Sequence, residues 1–118
     1  MKHSGIIKSL EASDEASRAA AVFATMGNDH RIQVLSALLR HGELNVNDLA
    51  NMFGLSQSAL SQHLKRLRDC GLVSTRRDRQ NIYYRVIAPF VEPLLTAYIR
   101  VERAATSPWS KRSVVGAV

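Results

Sequence analysis

The sequence predicts a mainly α-helical fold with one small β-hairpin. Apolar residues recur at helical spacing along most of the chain, whereas the alternation typical of strands is confined to the segment after Gly71. A chain of 118 residues has room for one hydrophobic core, and 46% apolar and 22% charged residues are ordinary for a globular protein. We expect a flexible arm at residues 1–12, one folded domain at residues 13–106 and a C-terminal tail at residues 107–118.

Capping signals delimit two helices in the first third of the chain. The first is predicted from about Ser13, its expected N-cap, to Met26, and Gly27 stops it. Its apolar stripe consists of Ala16, Ala19, Ala20, Phe23 and Met26. Asn28 can cap a second helix over residues 29–40. The residues expected to face inward from that helix are Ile32, Leu35, Leu38 and Leu39.

A short third helix is predicted after Asn45. Asp48 stands three residues further on, which resembles a capping box, and Gly54 is suited to end the helix. Its buried residues should be Val46, Leu49 and either Met52 or Phe53.

The fourth predicted helix has one apolar face and one face of hydroxyl, amide and basic side chains. Ser56 caps it, Gly71 stops it, and its core stripe on a helical wheel is Leu60, Leu64 and Leu67. The first turn and the opposite face carry Gln57, Ser58, Ser61, Gln62 and Lys65. Hydroxyls and amides can donate to and accept from base edges, and lysine reaches phosphates. A solvent-exposed helix is the alternative, but such faces usually carry Glu and Lys pairs, and serine weakens a helix.

The segment after this helix predicts a β-hairpin with a basic tip. A strand begins at residues 72–74, the tip covers residues 76–80, and the return strand contains Ile82, Tyr83, Tyr84 and Val86. Between Leu55 and Arg85 seven basic residues outnumber two acidic ones, which places five of the six net positive charges there. That concentration indicates a polyanion partner, although charge alone does not distinguish DNA from RNA or an anionic membrane. The arginines expected to reach the minor groove or flanking phosphates are Arg76, Arg77 and Arg79.

A last helix is predicted from close to Glu92, because Pro89 and Pro93 are tolerated only near a helix N-terminus. Its apolar stripe and that of the first helix would be left bare on a monomer. We therefore expect a two-fold dimer. Such a dimer would also bind two DNA half-sites that lie about one turn of the duplex apart. The interface residues expected from the two stripes are Ala19, Phe23, Leu94, Leu95, Tyr98 and Val101.

His63, near the polar face, allows more than one interpretation. His63 either packs with a ring nitrogen at the surface or contacts a phosphate, and metal ligation is disfavoured because no second ligand stands three or four residues away. Cys70 is expected to fill the turn after the helix. A single Cys excludes an intrachain disulfide and fits a reducing cytoplasm.

The N-terminus lacks the apolar segment of a secretory signal, and no apolar run is long enough to span a membrane.

The segment GLSQSALSQHLKRLRDCGLVSTRRDRQNIYYRV and the order of helices resemble the ArsR/SmtB family of winged helix-turn-helix repressors over residues 20–103. SQSALSQHL is most similar to the branch of haemolysin-gene and biofilm-growth regulators that respond to sulfur or redox species. The resemblance implies a bacterial, dimeric repressor with five helices and a hairpin, or wing, between the fourth and the fifth. It implies that the fourth helix reads DNA and that the wing supports it. The full set of expected DNA contacts is Gln57, Ser58, Ser61, Gln62, His63, Lys65, Arg66, Arg76, Arg77, Arg79 and Gln80.

The sensor sites of the family do not transfer to this chain. Residues 45–47 are Asn-Val-Asn where arsenic and cadmium sensors carry cysteines, and Ala88, Phe90 and Val101 stand where zinc sensors carry ligands. Ser36 and a residue near Arg103 stand where the redox branch carries its two cysteines. We therefore expect no metal and no cofactor, and the effector is not specified. The sequence predicts a repressor of an inverted-repeat operator and not an enzyme, with a winged-helix adaptor or anti-repressor as the alternative.

Overall fold

Six helices and three strands make up residues 4–105, the part of the chain that the structure, a computed structural model, describes. The helices are α1 (Ser4–Ser9), α2 (Ser13–Met26), α3 (Asp29–His41), α4 (Val46–Phe53), α5 (Gln57–Asp69) and α6 (Val91–Ala104). The strands are β1 (Leu44–Asn45), β2 (Val73–Asp78) and β3 (Asn81–Val86). The chain divides after Ala88 into two units, the second of which contains α6. The predicted tail at residues 107–118 lies outside the described residues.

Helix α1 lies within the segment expected to be a flexible arm, of which the structure describes residues 4–12. Its six residues are followed by turns in which the amides of Leu10, Glu11 and Ala12 each donate to a carbonyl three residues back. Local hydrogen bonds of this kind form without any sequence periodicity, and six residues are too few for an apolar stripe to reveal a helix.

Helix α2 begins one residue earlier than its predicted cap implies. Ser13 is the first helical residue rather than the cap, Ala12 holds the N-cap position, and its side chain makes no capping bond. Asp14 and Glu15 stabilise this end instead, because carboxylates interact favourably with the exposed amides of a first turn. Met26 is buried as expected, whereas the side chain of Phe23 is 58% exposed.

Helix α3 is capped as predicted, and the Asn28 side chain accepts a hydrogen bond from the Arg31 amide at 3.1 Å. Leu35 and Leu38 are fully buried, but the inward position predicted for Ile32 was wrong, since its side chain is 37% exposed. The buried stripe is centred near Leu38, and Ile32 lies about 120° from it on the helix.

The capping box of α4 is confirmed. The Asn45 side chain accepts from the Asp48 amide at 2.8 Å, and the Asp48 carboxylate accepts from the Asn45 amide at 3.3 Å. Leu49 is fully buried; of the two alternatives Met52 and Phe53, Phe53 is the half-buried one and Met52 is 46% exposed.

Strand β1 was missed because two residues are too short to show an alternation. It pairs antiparallel with β3, which places Leu44 opposite Tyr84 and Asn45 opposite Tyr83. The predicted hairpin is therefore a three-stranded sheet in the order β1-β3-β2.

The hairpin turn is tighter than predicted. Asp78 pairs with Asn81, so only Arg79 and Gln80 form the turn, and Arg79 has a φ of 60°. The prediction that Arg76 and Arg77 belong to the tip was wrong, because both lie within β2. Charged residues carry no alternating apolar signal, which hid the last part of the strand.

The core of the first unit lies between α2, α3, α4, α5 and the sheet. The three leucines predicted for the inner face of α5 are all fully buried, which confirms the wheel of that helix. Each fully buried leucine contributes about 1.5–3 kcal/mol relative to an exposed one. The large side chains that are fully buried in this unit are Val34, Leu35, Leu38, Leu49, Leu60, Leu64, Leu67, Leu72 and Val73. The core therefore fixes the rotation of α5 about its axis and, with it, the face that α5 turns outward.

In the second unit α6 starts at Val91, one residue before the predicted position. Leu94, Tyr98 and Val101 are 37%, 51% and 69% exposed. Among the described residues, none of the helices has the length and apolar character needed to span a membrane.

Candidate nucleic-acid interface

The exposed face of α5 carries the predicted polar residues together. Ser56 accepts a hydrogen bond from the Ala59 amide at 3.1 Å, which starts the helix at Gln57 and leaves its first turn at the surface. Because the leucine stripe is buried, the residues on the opposite side project to solvent. The exposed polar residues of this face are Gln57, Ser58, Ser61, Gln62, Lys65 and Arg66.

The start of α5 and the hairpin turn meet at a small cleft. The cleft has a volume of about 180 Å³ and is lined by Asn47 of α4, Gln57 of α5, and Gln80 and Asn81 of the hairpin, together with neighbouring residues. The Gln57 amide donates to the Asn47 side-chain oxygen. Two predicted contact residues from distant parts of the chain, Gln57 and Gln80, therefore line one cleft. Asn47 was missed, because nothing in the sequence separates it from an ordinary first-turn residue of α4.

His63 is half-buried against the start of α3. The Arg31 guanidinium lies 3.4 Å from His63 Nδ1, and the ring of His30 lies 5.5 Å from the His63 ring, tilted by 44°. Burial, followed by the positive charge of Arg31, lowers the pKa of His63 below 6.5. Nδ1 of His63 therefore lies against α3, in agreement with the interpretation that the ring packs within the protein. Arg31 itself was missed, since its role depends on a contact 32 positions away in sequence.

The basic residues of the second half of α5 are not equivalent. Lys65 pairs with Asp69 at 2.8 Å, one turn along the helix, and both side chains are largely exposed. The hydrogen bond from Lys65 lowers the pKa of Asp69. Exposed pairs of this kind stabilise a protein little, so Lys65 can exchange this partner for a phosphate at small cost. Arg66 lines an open cleft of about 560 Å³ between α5 and α2, beside Cys70.

Cys70 caps the C-terminal end of α5 and is half-buried. Its Sγ lies 3.7 Å from the Ala21 carbonyl oxygen of α2, where its S–H donates a weak hydrogen bond. This placement agrees with the filling role expected from the sequence. Within residues 4–105 no group of three or more His, Cys, Asp or Glu side chains is arranged to hold a metal ion.

Arg76 is held by contacts within the protein. Its guanidinium donates to both carboxylate oxygens of Glu43, with Nε at 2.8 Å from Oε2 and Nη2 at 2.9 Å from Oε1, and it lies 4.7 Å from the centre of the Tyr83 ring. The hydrogen bond from Arg76 lowers the pKa of Glu43 below 4.5, and the carboxylate raises the pKa of Arg76 in return. Arg77, Arg79 and Gln80 are exposed on the strand end and the turn, as Arg76 is, but they lie outside this ion pair.

A short helix, a turn, a second helix with an exposed polar face and a basic hairpin together define a winged helix-turn-helix protein. Residues 28–75 match the family described as "Bacterial regulatory protein, arsR family". The chain belongs to the ArsR family of bacterial DNA-binding transcriptional regulators.

Individual relatives agree with this assignment. The chain is 50% identical over 74 residues to the nodulation protein NolR of Rhizobium meliloti, a match that covers 63% of this chain and 60% of the length of NolR. It is 39% identical over 85 residues to the transcriptional activator HlyU of Vibrio cholerae, covering 72% of this chain and 78% of HlyU.

Solved structures show the same fold. NolR from Sinorhizobium fredii matches with a TM-score of 0.70 and 46% identity, covering 75% of this chain and 87% of that one. The homodimeric winged helix-turn-helix domain of Mb0332 from Mycobacterium bovis matches with a TM-score of 0.69 and 27% identity, covering 81% of this chain and 91% of that domain.

Proposed function

We propose that the protein is a dimeric repressor that binds an inverted-repeat operator through the outer face of α5 and the hairpin turn. One observation carries this proposal: a helix face of exposed serine and glutamine side chains adjoins a turn with exposed arginines. Amides and hydroxyls discriminate bases by hydrogen bonding in the major groove, whereas arginines bind phosphates or a narrow minor groove. Of the remaining predicted contacts, His63, Lys65 and Arg66 are proposed as supporting contacts to the backbone, whereas Arg76 is proposed to hold the hairpin through Glu43.

Salt dependence tests the DNA-binding step. A protein that neutralises several phosphates releases counterions, so its affinity falls steeply as salt rises. We expect binding of duplex DNA to weaken by about two or more orders of magnitude between 50 and 200 mM salt. An affinity that does not respond to salt, or no binding of duplex DNA at all, would refute the proposal and favour a protein–protein adaptor.

The dimer is proposed from apolar side chains that each unit leaves exposed. Phe23 on α2 is 58% exposed, and Tyr98 and Val101 on α6 are 51% and 69% exposed. A second copy is the occupant we propose, since a two-fold pair presents two identical reading helices to a symmetric operator. The homodimeric state of the Mycobacterium bovis domain supports this choice.

Tyr98→Asp tests the dimer. The new carboxylate would be buried at the interface without a partner and would stand four residues from Glu102, whose carboxylate now accepts a hydrogen bond from the Tyr98 hydroxyl at 3.2 Å. Sedimentation at micromolar concentration should show a monomer that no longer binds the operator, whereas Tyr98→Phe should remain a dimer. A stable Tyr98→Asp dimer would show that Tyr98 faces elsewhere.

Repression follows from occupancy, because a bound dimer blocks access to overlapping promoter DNA. We propose that the protein acts in the bacterial cytoplasm, where the chromosome lies, and that an effector of unspecified chemistry releases it. Residues 45–47, Ser36, Ala88, Phe90 and Val101 stand where the family resemblance would place cysteines or zinc ligands, so the release mechanism is proposed to use neither a thiolate pair nor a bound metal.

A further inference from the structure

Arg31, on α3, contacts both α2 and α5, the helix that carries the exposed polar face. It lies in the first turn of α3, and its Nε donates to the Thr25 carbonyl oxygen near the end of α2 at 2.6 Å. Its Nη1 lies 3.4 Å from Nδ1 of His63 on α5. Arg31 is partly buried in both contacts. One guanidinium therefore links the end of α2 to the middle of the helix that presents the polar face.

The chemistry of Arg31 and His63 bears on which ring nitrogen of His63 carries the proton. A guanidinium has five donors and no acceptor, so a hydrogen bond at the 3.4 Å contact between Arg31 and His63 requires Nδ1 to accept and the proton of the neutral ring to reside on Nε2. The charged and titratable neighbours are Asp29, His30 and Arg31 on α3 and Arg66 on α5. Burial and the positive charges of Arg31 and Arg66 outweigh the carboxylate of Asp29, and they favour the neutral ring.

We propose that Arg31 is a positioning residue for DNA recognition, which fixes the orientation and tautomer of His63 so that Nε2–H is the donor offered to DNA. The inference rests on the proposed function, because it assigns His63 a contact in the operator complex. Lysine cannot replace arginine here. A single ammonium lacks the planar fork that reaches Thr25 and His63 in two fixed directions.

A direct phosphate contact by Arg31 is the competing explanation. The two explanations predict different effects of an Arg31 substitution on the salt dependence of DNA binding. If Arg31 neutralises a phosphate, its loss makes the slope of log affinity against log salt shallower by about one for each subunit. If Arg31 acts through His63, the slope stays unchanged while the affinity falls. The effect of Arg31 must then vanish when the His63 ring is absent.

The first experiment is a double-mutant cycle on DNA binding with Arg31→Lys, His63→Ala and the combined variant. Arg40→Gln is the matched control, since Arg40 is an exposed cation on the same helix. We expect Arg31→Lys to weaken operator binding by about tenfold, the scale of a lost buried hydrogen bond, with an unchanged salt slope. Arg31→Lys should cause no additional loss of affinity when it is combined with His63→Ala. Arg40→Gln should bind DNA as the wild type does. Additive losses, or a shallower slope for Arg31→Lys, would overturn the proposal.

The second experiment reads the tautomer in the free protein and does not depend on DNA. The nitrogen-15 spectrum of the His63 imidazole, assigned by comparison with His63→Gln, should show the Nε2–H form in the wild type. Arg31→Lys should show a mixture of both neutral forms and a higher His63 pKa. A wild-type ring protonated on Nδ1, or a spectrum unchanged by Arg31→Lys, would overturn the inference. If the wild-type spectrum is as expected but no duplex is bound, the proposed function has failed instead.

Discussion

The two faces of the hairpin carry neighbouring arginines with different surroundings. Arg76 lies on the face that also carries Tyr83, its cross-strand partner, and it is held there by both oxygens of Glu43. Arg77 points to the opposite face and pairs across the strands with Ile82, which lines the cleft shared by the hairpin and the start of α5. Because strand side chains alternate, adjacent arginines serve different purposes. Arg76 connects strand β2 to Glu43, in the loop before β1, whereas Arg77 lies beside the proposed DNA surface.

This comparison shows why a count of basic residues overstates the number of phosphate contacts. Of the seven basic residues between Leu55 and Arg85, Arg76 is held by both carboxylate oxygens of Glu43, whereas the exposed pair with Asp69 leaves Lys65 able to reach a phosphate. The same distinction applies to α5, where the leucine stripe faces the protein interior, Cys70 is half-buried against α2, and the serine and glutamine face projects outward. A substitution should affect DNA binding or folding according to which side it alters.

The largest effect should come from the double substitution Arg77→Ala with Arg79→Ala. Two lost contacts in each subunit remove four from the dimer, so affinity should fall on the order of a hundredfold and the salt slope should become shallower by about four. The loss should be similar for all DNA sequences, since these residues are proposed to bind the backbone. Fluorescence titrations at several salt concentrations give both quantities, and an unchanged slope would place the hairpin away from DNA.

Arg76→Ala should give the opposite result. We expect operator affinity to change by less than about threefold, because an arginine already paired with a carboxylate contributes little to counterion release. The midpoint of unfolding by denaturant should decrease, because the variant loses the bond to Glu43 and the contact with the Tyr83 ring. A loss of affinity equal to that of Arg77→Ala would show that the two faces of the hairpin do not differ.

Acid should remove the part of the Arg76 stabilisation that comes from its ion pair with Glu43. The folded-state pKa of Glu43 lies below its unfolded value of 4.5, so the unfolded state binds more protons as pH falls. The contribution is complete above pH 4.5 and is lost as pH falls through the folded pKa. The difference in unfolding free energy between the wild type and Arg76→Ala should therefore be larger at pH 7 than at strongly acidic pH, where only the Tyr83 contact of Arg76 remains. A difference that is constant with pH would mean that the ion pair does not form in solution.

Cys70→Ser should have the smallest effect. The side chain lies on the inner side of the helix end and fills space near Ala21, so the hydroxyl variant should bind DNA as the wild type does. Mild oxidants or polysulfides should not release the wild type through a disulfide, since one thiol cannot form an intrachain bond. Binding titrations with and without oxidant, beside mass spectrometry of the thiol, decide this. Reversible release that is absent from Cys70→Ser would make Cys70 a sensor.

Helices α2 to α6 could be predicted from the sequence, because capping residues and apolar spacing are local signals, whereas α1 is too short to show either. Asn28, the Asn45–Asp48 box and the leucines of α5 each identified an element correctly. The exposed polar face of α5 followed directly from the same spacing, since a helix that buries three leucines must expose the opposite side.

The remaining features depend on contacts that local patterns do not encode. Strand β1 is defined by its pairing with β3, some forty residues away, and the length of β2 is hidden by charged residues. The bond from Arg31 to His63 and the ion pair between Glu43 and Arg76 each join positions more than thirty residues apart. A helical wheel places His63 at the edge of the core, but it does not identify the residue that holds the ring.

Selection of bound sites from random duplex DNA, with the wild type and Gln62→Ala in parallel, tests sequence-specific recognition by α5 most directly. The wild type should enrich an inverted repeat with half-sites about one helical turn apart. Gln62→Ala should keep that spacing and lose preference at one position in each half-site, at about 1–3 kcal/mol per lost base contact. If the wild type enriches no sequence, or if both proteins enrich the same site with the same preferences, the outer face of α5 does not read the operator.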